Sequence, residues 1–200
     1  MPSPAPAQAT LVDIPRMPVG ASPLGFNFAR TGAGATGQWV VVEDPTAESG
    51  KAIAQVSQDR TDYRFPLAIY QPLSARDVGV TLRFKPVAGK VDQAGGIAVR
   101  VTSPDDYYLV RANALENNVR FYRVLKGRRE QVGGIDIPVP GGYWHMLGLR
   151  AEADRFTVSY DGRVVFSAPA DSYADTGHVA LWTKADSVTY FDAISITPLD

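Results

Sequence analysis

The chain has 200 residues, of which 45% are hydrophobic and 20% are charged, and its formal net charge is −1. This length and composition suit a single globular domain with a substantial core. The balance of charge gives no electrostatic basis for binding nucleic acid, and no apolar run is long enough to span a membrane. The absence of cysteine excludes disulfides and thiolate metal sites.

The first 23 residues are rich in proline, which predicts an N-terminal extension that is extended or disordered, followed by one domain over 24–200. Residues 7–9 read Ala-Gln-Ala and resemble a small-residue cleavage site, although no basic and apolar signal regions precede them. We therefore expect a periplasmic or secreted bacterial protein. The alternative is a cytoplasmic protein with a proline-rich leader.

Short segments of alternating apolar and polar residues then follow one another, separated by Gly, Pro, Asn or Asp. The first is a short strand in which Asn27 lies between Phe26 and Phe28. The same alternation predicts later strands over 38–44, 51–58, 61–71, 77–86, 95–102, 106–113, 118–125, 128–135, 143–152, 155–160, 163–168, 177–183 and 188–197.

Asp161-Gly162 is a strong signal for a type I′ hairpin between two of these strands. About a dozen strands exceed what one open twisted sheet holds comfortably. The sequence therefore predicts an all-β fold, a two-sheet antiparallel jelly-roll or lectin-like sandwich.

The parity of the middle strands separates two faces. Apolar positions predict a core face with Ile97, Val99, Val101, Tyr108, Val110, Ala112, Val119 and Phe121. The opposite face should carry a polar and aromatic set, with Trp182 nearby: Arg100, Tyr107, Arg111, Asn113, Arg120 and Tyr122. Aromatic rings beside forked donors suit sugars, so these seven residues are the predicted ligand-binding set. The alternative is ordinary cross-strand pairing on a solvated sheet.

Other chemistry has weaker support in the sequence. No strand carries the paired carboxylates of a glycosidase, and His145 and His178 lie in no zinc-binding motif. No cofactor is required, although two-sheet sandwiches often hold a structural calcium. Asp192, inside the last strand, and Asn27, near the first, are the candidate ligands for such an ion.

The motifs together resemble the concanavalin A-like lectin/glucanase superfamily over roughly residues 25–198. They comprise a Gly-Gly strand, D-x-Y-Y-x-x-R at 105–111, Trp144-His145, the Asp-Gly hairpin, G-x-x-x-L-W at 177–182 and a terminal Phe-Asp. Within that superfamily the chain resembles bacterial 3-keto-disaccharide hydrolase domains (domain of unknown function 1080) and laminin-G-like jelly rolls. The resemblance implies a concave sheet, with glycan binding as the default role and glycoside cleavage in some relatives.

Three functions remain open from the sequence. The leading interpretation is an exported, non-catalytic lectin-like module that binds a carbohydrate on the concave sheet. The second is a glycoside or 3-keto-glycoside hydrolase in which Glu116, Asp106 or His145 does acid/base work. The third is a structural sandwich that binds another protein.

Overall fold

The computed structural model describes residues 8–169 and 175–199. In this part of the chain the strands are β1 Thr10–Leu11, β2 Phe26–Gly32, β3 Trp39–Glu43, β4 Lys51–Gln55, β5 Arg64–Ala75, β6 Val78–Ala88, β7 Ala94–Ser103, β8 Asp106–Asn113, β9 Asn118–Leu125, β10 Arg128–Asp136, β11 His145–Glu152, β12 Arg155–Tyr160, β13 Arg163–Pro169, β14 Gly177–Trp182 and β15 Val188–Pro198. The one helix among the described residues is a 3₁₀ turn over Ile14–Arg16. No helix in these ranges is long and apolar enough to cross a membrane.

The strands form two antiparallel sheets, as predicted. The back sheet has the order β13-β12-β11-β6-β15-β4-β3, and β1 pairs with β15. The front sheet has the order β10-β9-β8-β7-β14-β5-β2. Half of the neighbouring pairs along each sheet, such as β6-β15 and β7-β14, are far apart in sequence, which is typical of a jelly-roll sandwich.

The main core lies between the sheets and contains the predicted apolar positions except Val101. Phe156, on β12 of the back sheet, lies 4.6 Å from Tyr108 and 4.7 Å from Phe121 between ring centroids. These contacts join the back sheet to β8 and β9, so the inward side chains hold in place the two strands that carry most of the predicted site.

The hairpin between β12 and β13 has the predicted turn. Asp161 and Gly162 both have positive φ, at 46° and 79°. Type I′ turns require this backbone at both central residues, and Asp-Gly adopts it readily.

The domain begins earlier in the chain than predicted. Val12, Ile14 and Met17 are buried and belong to the main core. The nitrogen Nζ of Lys51 donates hydrogen bonds to the carbonyls of Pro15 and Met17, both at 3.0 Å. The prediction that residues up to 23 form an extension outside the domain is therefore wrong for the described part, and residues 1–7 lie outside the described ranges.

The front sheet curves towards its outer face. Thr31 on β2 and Tyr107 on β8 are separated by β5, β14 and β7, which would place flat strands about 19 Å apart. Their side-chain oxygens nevertheless lie 2.7 Å apart. The outer face of the front sheet is therefore concave, and it carries its own buried apolar cluster.

Candidate functional site

Alternation places five of the predicted polar residues on this concave face. Arg111 and Arg120 are direct cross-strand partners on β8 and β9, and Asn113 is the partner of Asn118. Tyr107 and Tyr122 have the same parity as these residues. The structure therefore brings Tyr107, Arg111, Asn113, Arg120 and Tyr122 to one surface.

Arg100 does not belong to this surface, and its predicted position is wrong. Its backbone is left-handed, with φ 51°, and the pairing of β7 shifts register on both sides at this point. This bulge turns Arg100 towards the back sheet, where its guanidinium lies over the ring of Phe156 and donates to the carbonyl of Ala153 at 2.7 Å. The same bulge moves Val101 to the concave side.

One half of the concave face is covered. The Tyr63 hydroxyl donates to the carbonyl of Gly127 at 2.9 Å and accepts from the backbone of Arg129 at 3.1 Å. A Cβ at Gly32 would lie 2.1 Å from the carbonyl oxygen of Tyr63, so the end of β2 approaches Tyr63 as only glycine allows. We call the half of the concave face that Tyr63 covers the roofed half.

Tyr107 and Trp182 lie under that roof and are fully buried. The indole of Trp182 stacks on Phe65 and donates a 3.3 Å hydrogen bond to the Tyr107 hydroxyl. Burial raises the pKa of the Tyr107 phenol to about 12. A direct ligand contact, predicted for both residues, does not fit this geometry, and they instead form the floor beneath the roof.

The other half is open and polar, and Arg111 is its centre. The Arg111 guanidinium donates to Glu116 at 2.7 Å, to the Tyr122 hydroxyl at 3.1 Å and to the side-chain oxygen of Asn118. Only 4% of the Arg111 side chain is exposed, whereas 44% of Glu116 is exposed. Arg111 is thus a fixed donor below a carboxylate that reaches solvent.

A second ion pair lies beside the first. Lys184 contacts Asp92 at 2.6 Å and Asp62 at 3.5 Å, and the amide of Asn113 donates to Asp92. We use the name polar basin for these two ion-paired groups together with the side chains that hydrogen-bond to them. Its members are Asp62, Asp92, Arg111, Asn113, Glu116, Asn118, Tyr122 and Lys184.

Two loops that are held by buried polar side chains position part of the basin. The Asp186 carboxylate accepts from the backbone N–H groups of Lys90, Val91 and Asp92 at 2.8–3.3 Å, which fixes the loop that holds Asp92. Burial raises the pKa of the Asp186 carboxyl, but these donors outweigh it and the net pKa is lowered. Fully buried Arg64 donates to the carbonyl of Ala185 at 2.6 Å and so fixes the loop that follows Lys184.

Electrostatics keep Glu116, an exposed acid of the basin, ionised. Burial raises the pKa of Glu116. The charge of Arg111 and the hydrogen bonds from Asn118 and Arg111 lower it by more than burial raises it, so the net pKa falls below its ordinary value. A carboxyl group with a lowered pKa is a poor proton donor near neutral pH.

Arg129 separates the basin from the roofed half. Its guanidinium lies 4.3 Å from the ring centroid of Tyr122 and 4.9 Å from that of Phe65. Arg129 covers the Tyr122 ring, and only 7% of Tyr122 is exposed. Tyr122 therefore offers no free face for a sugar. Two buried nitrogens here, Nε of Arg111 and Nη1 of Arg129, have no hydrogen-bond partner among the described residues.

Arg120 lies farther along β9, and its side chain pairs with exposed Asp136 on β10. It shares the concave face with Arg111 but belongs to a separate ion pair. Arg120 is therefore on the rim of the site and stays a predicted ligand contact.

The predicted calcium ligands do not meet. Asn27 is exposed on β2 of the front sheet, between the inward-facing Phe26 and Phe28, and so faces outwards. Asp192 faces outwards from β15 of the back sheet, where Arg83 and the backbone of Glu48 bind its carboxylate. The two side chains lie on opposite faces of the sandwich, so they cannot share one ion. No cluster of three acidic or histidine residues suited to a metal occurs in the described ranges.

The acid/base residues suggested for a hydrolase are also separated. Glu116 follows the end of β8, whereas Asp106 begins β8 and accepts from Ser103 and Lys126. His145 is buried on β11 of the back sheet, against the Tyr160 hydroxyl at 3.0 Å. An eight-residue strand spans about 26 Å, so Glu116 and Asp106 are too distant to act on one glycosidic bond.

Sequence reasoning missed Asp92 and Arg129 and gave Lys184 no role. Lys184 lies two residues beyond Trp182, and Arg129 is the cross-strand partner of Val124, two residues from Tyr122. Strand parity could have suggested both basic residues. Asp92 comes from a loop, where alternation carries no signal.

Solved structures show the same fold. A carbohydrate-binding module, CBM66 from Bacillus subtilis, is 21% identical over 85% of this chain and 94% of its own, with a TM-score of 0.65. Domain 4 of AbnA, a GH43 extracellular arabinanase from Geobacillus stearothermophilus solved with arabinotriose, is 13% identical over 97% and 94% of the two chains, with a TM-score of 0.62. A β-glucanase from Bacillus licheniformis is 9% identical over 98% and 99%, with a TM-score of 0.58.

No protein-family model matches the sequence, and no curated protein is recognisably similar to it. The structural likenesses are all below 25% identity and therefore concern the fold. The narrower resemblance to the 3-keto-disaccharide hydrolase and laminin-G-like groups stays a prediction. The chain has the two-sheet antiparallel jelly-roll fold that its strand pattern predicted, and it shares this fold with these solved structures.

Proposed function

We propose that this protein is a carbohydrate-binding module that holds a glycan in the polar basin of the front sheet. The observation that carries the proposal is the grouping of two ion-paired clusters on the concave face: Arg111 with Glu116, and Lys184 with Asp92 and Asp62. A sugar hydroxyl both donates and accepts hydrogen bonds, so neighbouring hydroxyls fit a surface that alternates carboxylates with cations.

The fold holds the side chains of this surface in place before any ligand binds. Arg111 is held by three side chains, and Asp92 by Asn113 and Lys184, so little side-chain freedom remains to be lost on binding. The groups of this surface that reach solvent are the carboxylates of Glu116 and Asp62, whose side chains are 44% and 81% exposed. The carbohydrate-binding module among the structural relatives is consistent with this role.

We further propose that binding is non-catalytic. Glu116 is an exposed acid of the basin that is paired with Arg111, and its lowered pKa favours hydrogen-bond acceptance over proton donation. The separation of Asp106 and His145 from Glu116 removes the partners that the hydrolase interpretation assigned. An exported location remains part of the proposal, and fractionation of the tagged protein from its native cells would test it.

The test is a glycan array followed by calorimetry on the best ligand. We expect Arg111→Lys to weaken binding about 10- to 100-fold, because lysine keeps the charge but loses the forked donor. Arg150→Lys is the matched control, since Arg150 forms an exposed pair with Glu152 on the back sheet. Equal affinity of the wild type and Arg111→Lys for every bound glycan would contradict the proposed site.

Catalysis is checked on the same ligands. We expect no product by chromatography after prolonged incubation of the wild-type protein with each bound glycan. Product that disappears in Glu116→Gln would replace the binding module with a hydrolase. Failure to bind any glycan on the array would contradict the proposed function itself.

A further inference from the structure

The back sheet carries an aromatic surface that the polar basin does not use. Trp144 is only partly buried and lies on the outer face of the back sheet, beside Arg83 and Lys85. Its neighbours Tyr143 and Met146 are 68% and 45% exposed. The other two tryptophans, Trp39 and Trp182, are buried.

Trp144 lies across two cations from a single strand. Leu82 and Phe84 of β6 point into the core, so Arg83 and Lys85 project outwards. The guanidinium of Arg83 is 4.9 Å, and Nζ of Lys85 is 5.2 Å, from the Trp144 ring centroid. Both distances are within the range of cation–π contacts, and the Trp144 side chain stays partly exposed above these two cations.

The ring is also fixed in orientation. Its Nε1 donates a 2.9 Å hydrogen bond to the hydroxyl of Thr46, which accepts a second bond from Lys85 at 3.1 Å and donates to Asp44 at 2.7 Å. The Nε1 atom of Trp144 and the hydroxyl of Thr46 are therefore both fully hydrogen-bonded. The indole therefore presents a pre-organised flat face.

The charges beneath the ring are balanced. Arg83 is paired with Asp192, and Lys85 with Asp44. Burial raises the pKa of Asp44, but its hydrogen bonds from Lys85 and Thr46 outweigh burial and the net pKa is lowered, so this carboxylate stays charged near neutral pH. A neutral assembly gives no attraction for anions, and cations already in place on one face weaken the attraction of the other face for a further cation.

We propose that Trp144 is the platform of a second carbohydrate site, which stacks on the apolar C–H face of a neutral sugar ring. A partly exposed indole whose orientation is fixed by its hydrogen bond to Thr46 suits this contact. The exposed apolar residues beside it, Tyr143 and Met146, form too small a patch for a stable protein interface, which takes about 800 Å² from each partner. This site lies on the opposite side of the sandwich from the polar basin and does not rest on the function proposed for it.

Intrinsic fluorescence tests the proposal on the wild-type chain, because Trp144 is the solvent-accessible tryptophan. The probes are cellohexaose, xylohexaose, mannohexaose and laminarihexaose, each titrated separately with acrylamide quenching at saturation. We expect at least one of them to change the emission and to reduce the quenching constant about twofold. No change with any of the four would overturn the proposal.

Variants then assign the effect. For the responding sugar, Trp144→Ala should weaken calorimetric binding about tenfold, whereas Trp144→Phe, which keeps a stacking ring, should stay within about threefold of the wild type. Arg111→Lys should leave the fluorescence response intact, which separates this site from the polar basin. Unchanged affinity in a folded Trp144→Ala, or loss of the response in Arg111→Lys, would overturn the second site.

Discussion

The two halves of the concave face have the same strands beneath them but opposite character. In the roofed half Tyr107, Trp182 and Phe65 are fully buried and their polar atoms bond to each other or to β2. In the polar basin Arg111 is equally inaccessible, yet its partner Glu116 reaches solvent. The difference teaches that strand parity selects a face, while loops decide which part of that face can meet a ligand.

The largest effect is expected in the roofed half. Trp182→Ala should lower the free energy of unfolding by about 3–5 kcal/mol, because it leaves a large cavity under Phe65 and Tyr107. Urea denaturation measures this loss, with Trp144→Ala as a matched control on the opposite sheet. The division of the concave face would fail if the two substitutions cost the same.

Removing the centre of the polar basin should have an intermediate effect. Arg111→Met should lower the free energy of unfolding by about 1–3 kcal/mol, since Tyr122 and Asn118 lose a buried donor. Arg150→Met, which breaks an exposed pair, should cost about 0–1 kcal/mol. A stable Arg111→Met protein would show that the basin is held by its loops alone.

Acid should weaken the basin before it affects the roofed half. The pKa of Glu116 in the folded chain lies below its ordinary value of 4.5, so its stabilisation is present above about pH 4.5 and is lost as the pH falls through the folded value. Glu116→Gln should therefore show a smaller drop in Tm between about pH 6 and pH 3 than the wild type. Glu152→Gln is the control, and an identical drop in both variants would contradict this account.

The smallest effect concerns the roof itself. Tyr63→Phe removes both hydrogen bonds to the β9–β10 turn and should cost about 1 kcal/mol or less, because Tyr63 is 44% exposed. In a Trp144→Phe background, acrylamide should quench the remaining tryptophans more strongly once the roof is loosened. Unaltered quenching would mean that Trp182 is shielded by the sheet and not by Tyr63.

The sequence predicted the sheets well because alternation reports directly on burial. Ile97, Tyr108 and Phe121 point into the core as their parity requires, and Asp161-Gly162 forms its turn. The N-terminal segment was misjudged because its prolines exclude regular helix but do not prevent Ile14 from packing into the core.

The site was predicted only in part, and the failures have distinct physical causes. One left-handed residue, Arg100, reverses parity along β7, and no local signal distinguishes a non-glycine bulge from a regular strand. Asp92 comes from a loop whose position depends on Asp186, and Lys184 precedes a loop that is fixed by Arg64; both of these partners are far away in sequence. The covering of Tyr107 depends on sheet curvature, which alternation does not encode.

The pairing of β1 with β15 has a practical consequence for engineering. Thr10 lies beside Ile196 on the back sheet, so the chain enters and leaves this sheet at adjacent positions. A short linker there, with new ends opened at the Asp161-Gly162 turn, should give a circular permutant whose front sheet is unaltered. A scaffold attached near Thr10 or Ile196 would likewise leave the polar basin facing away from it, which makes this sandwich suitable for oriented immobilisation.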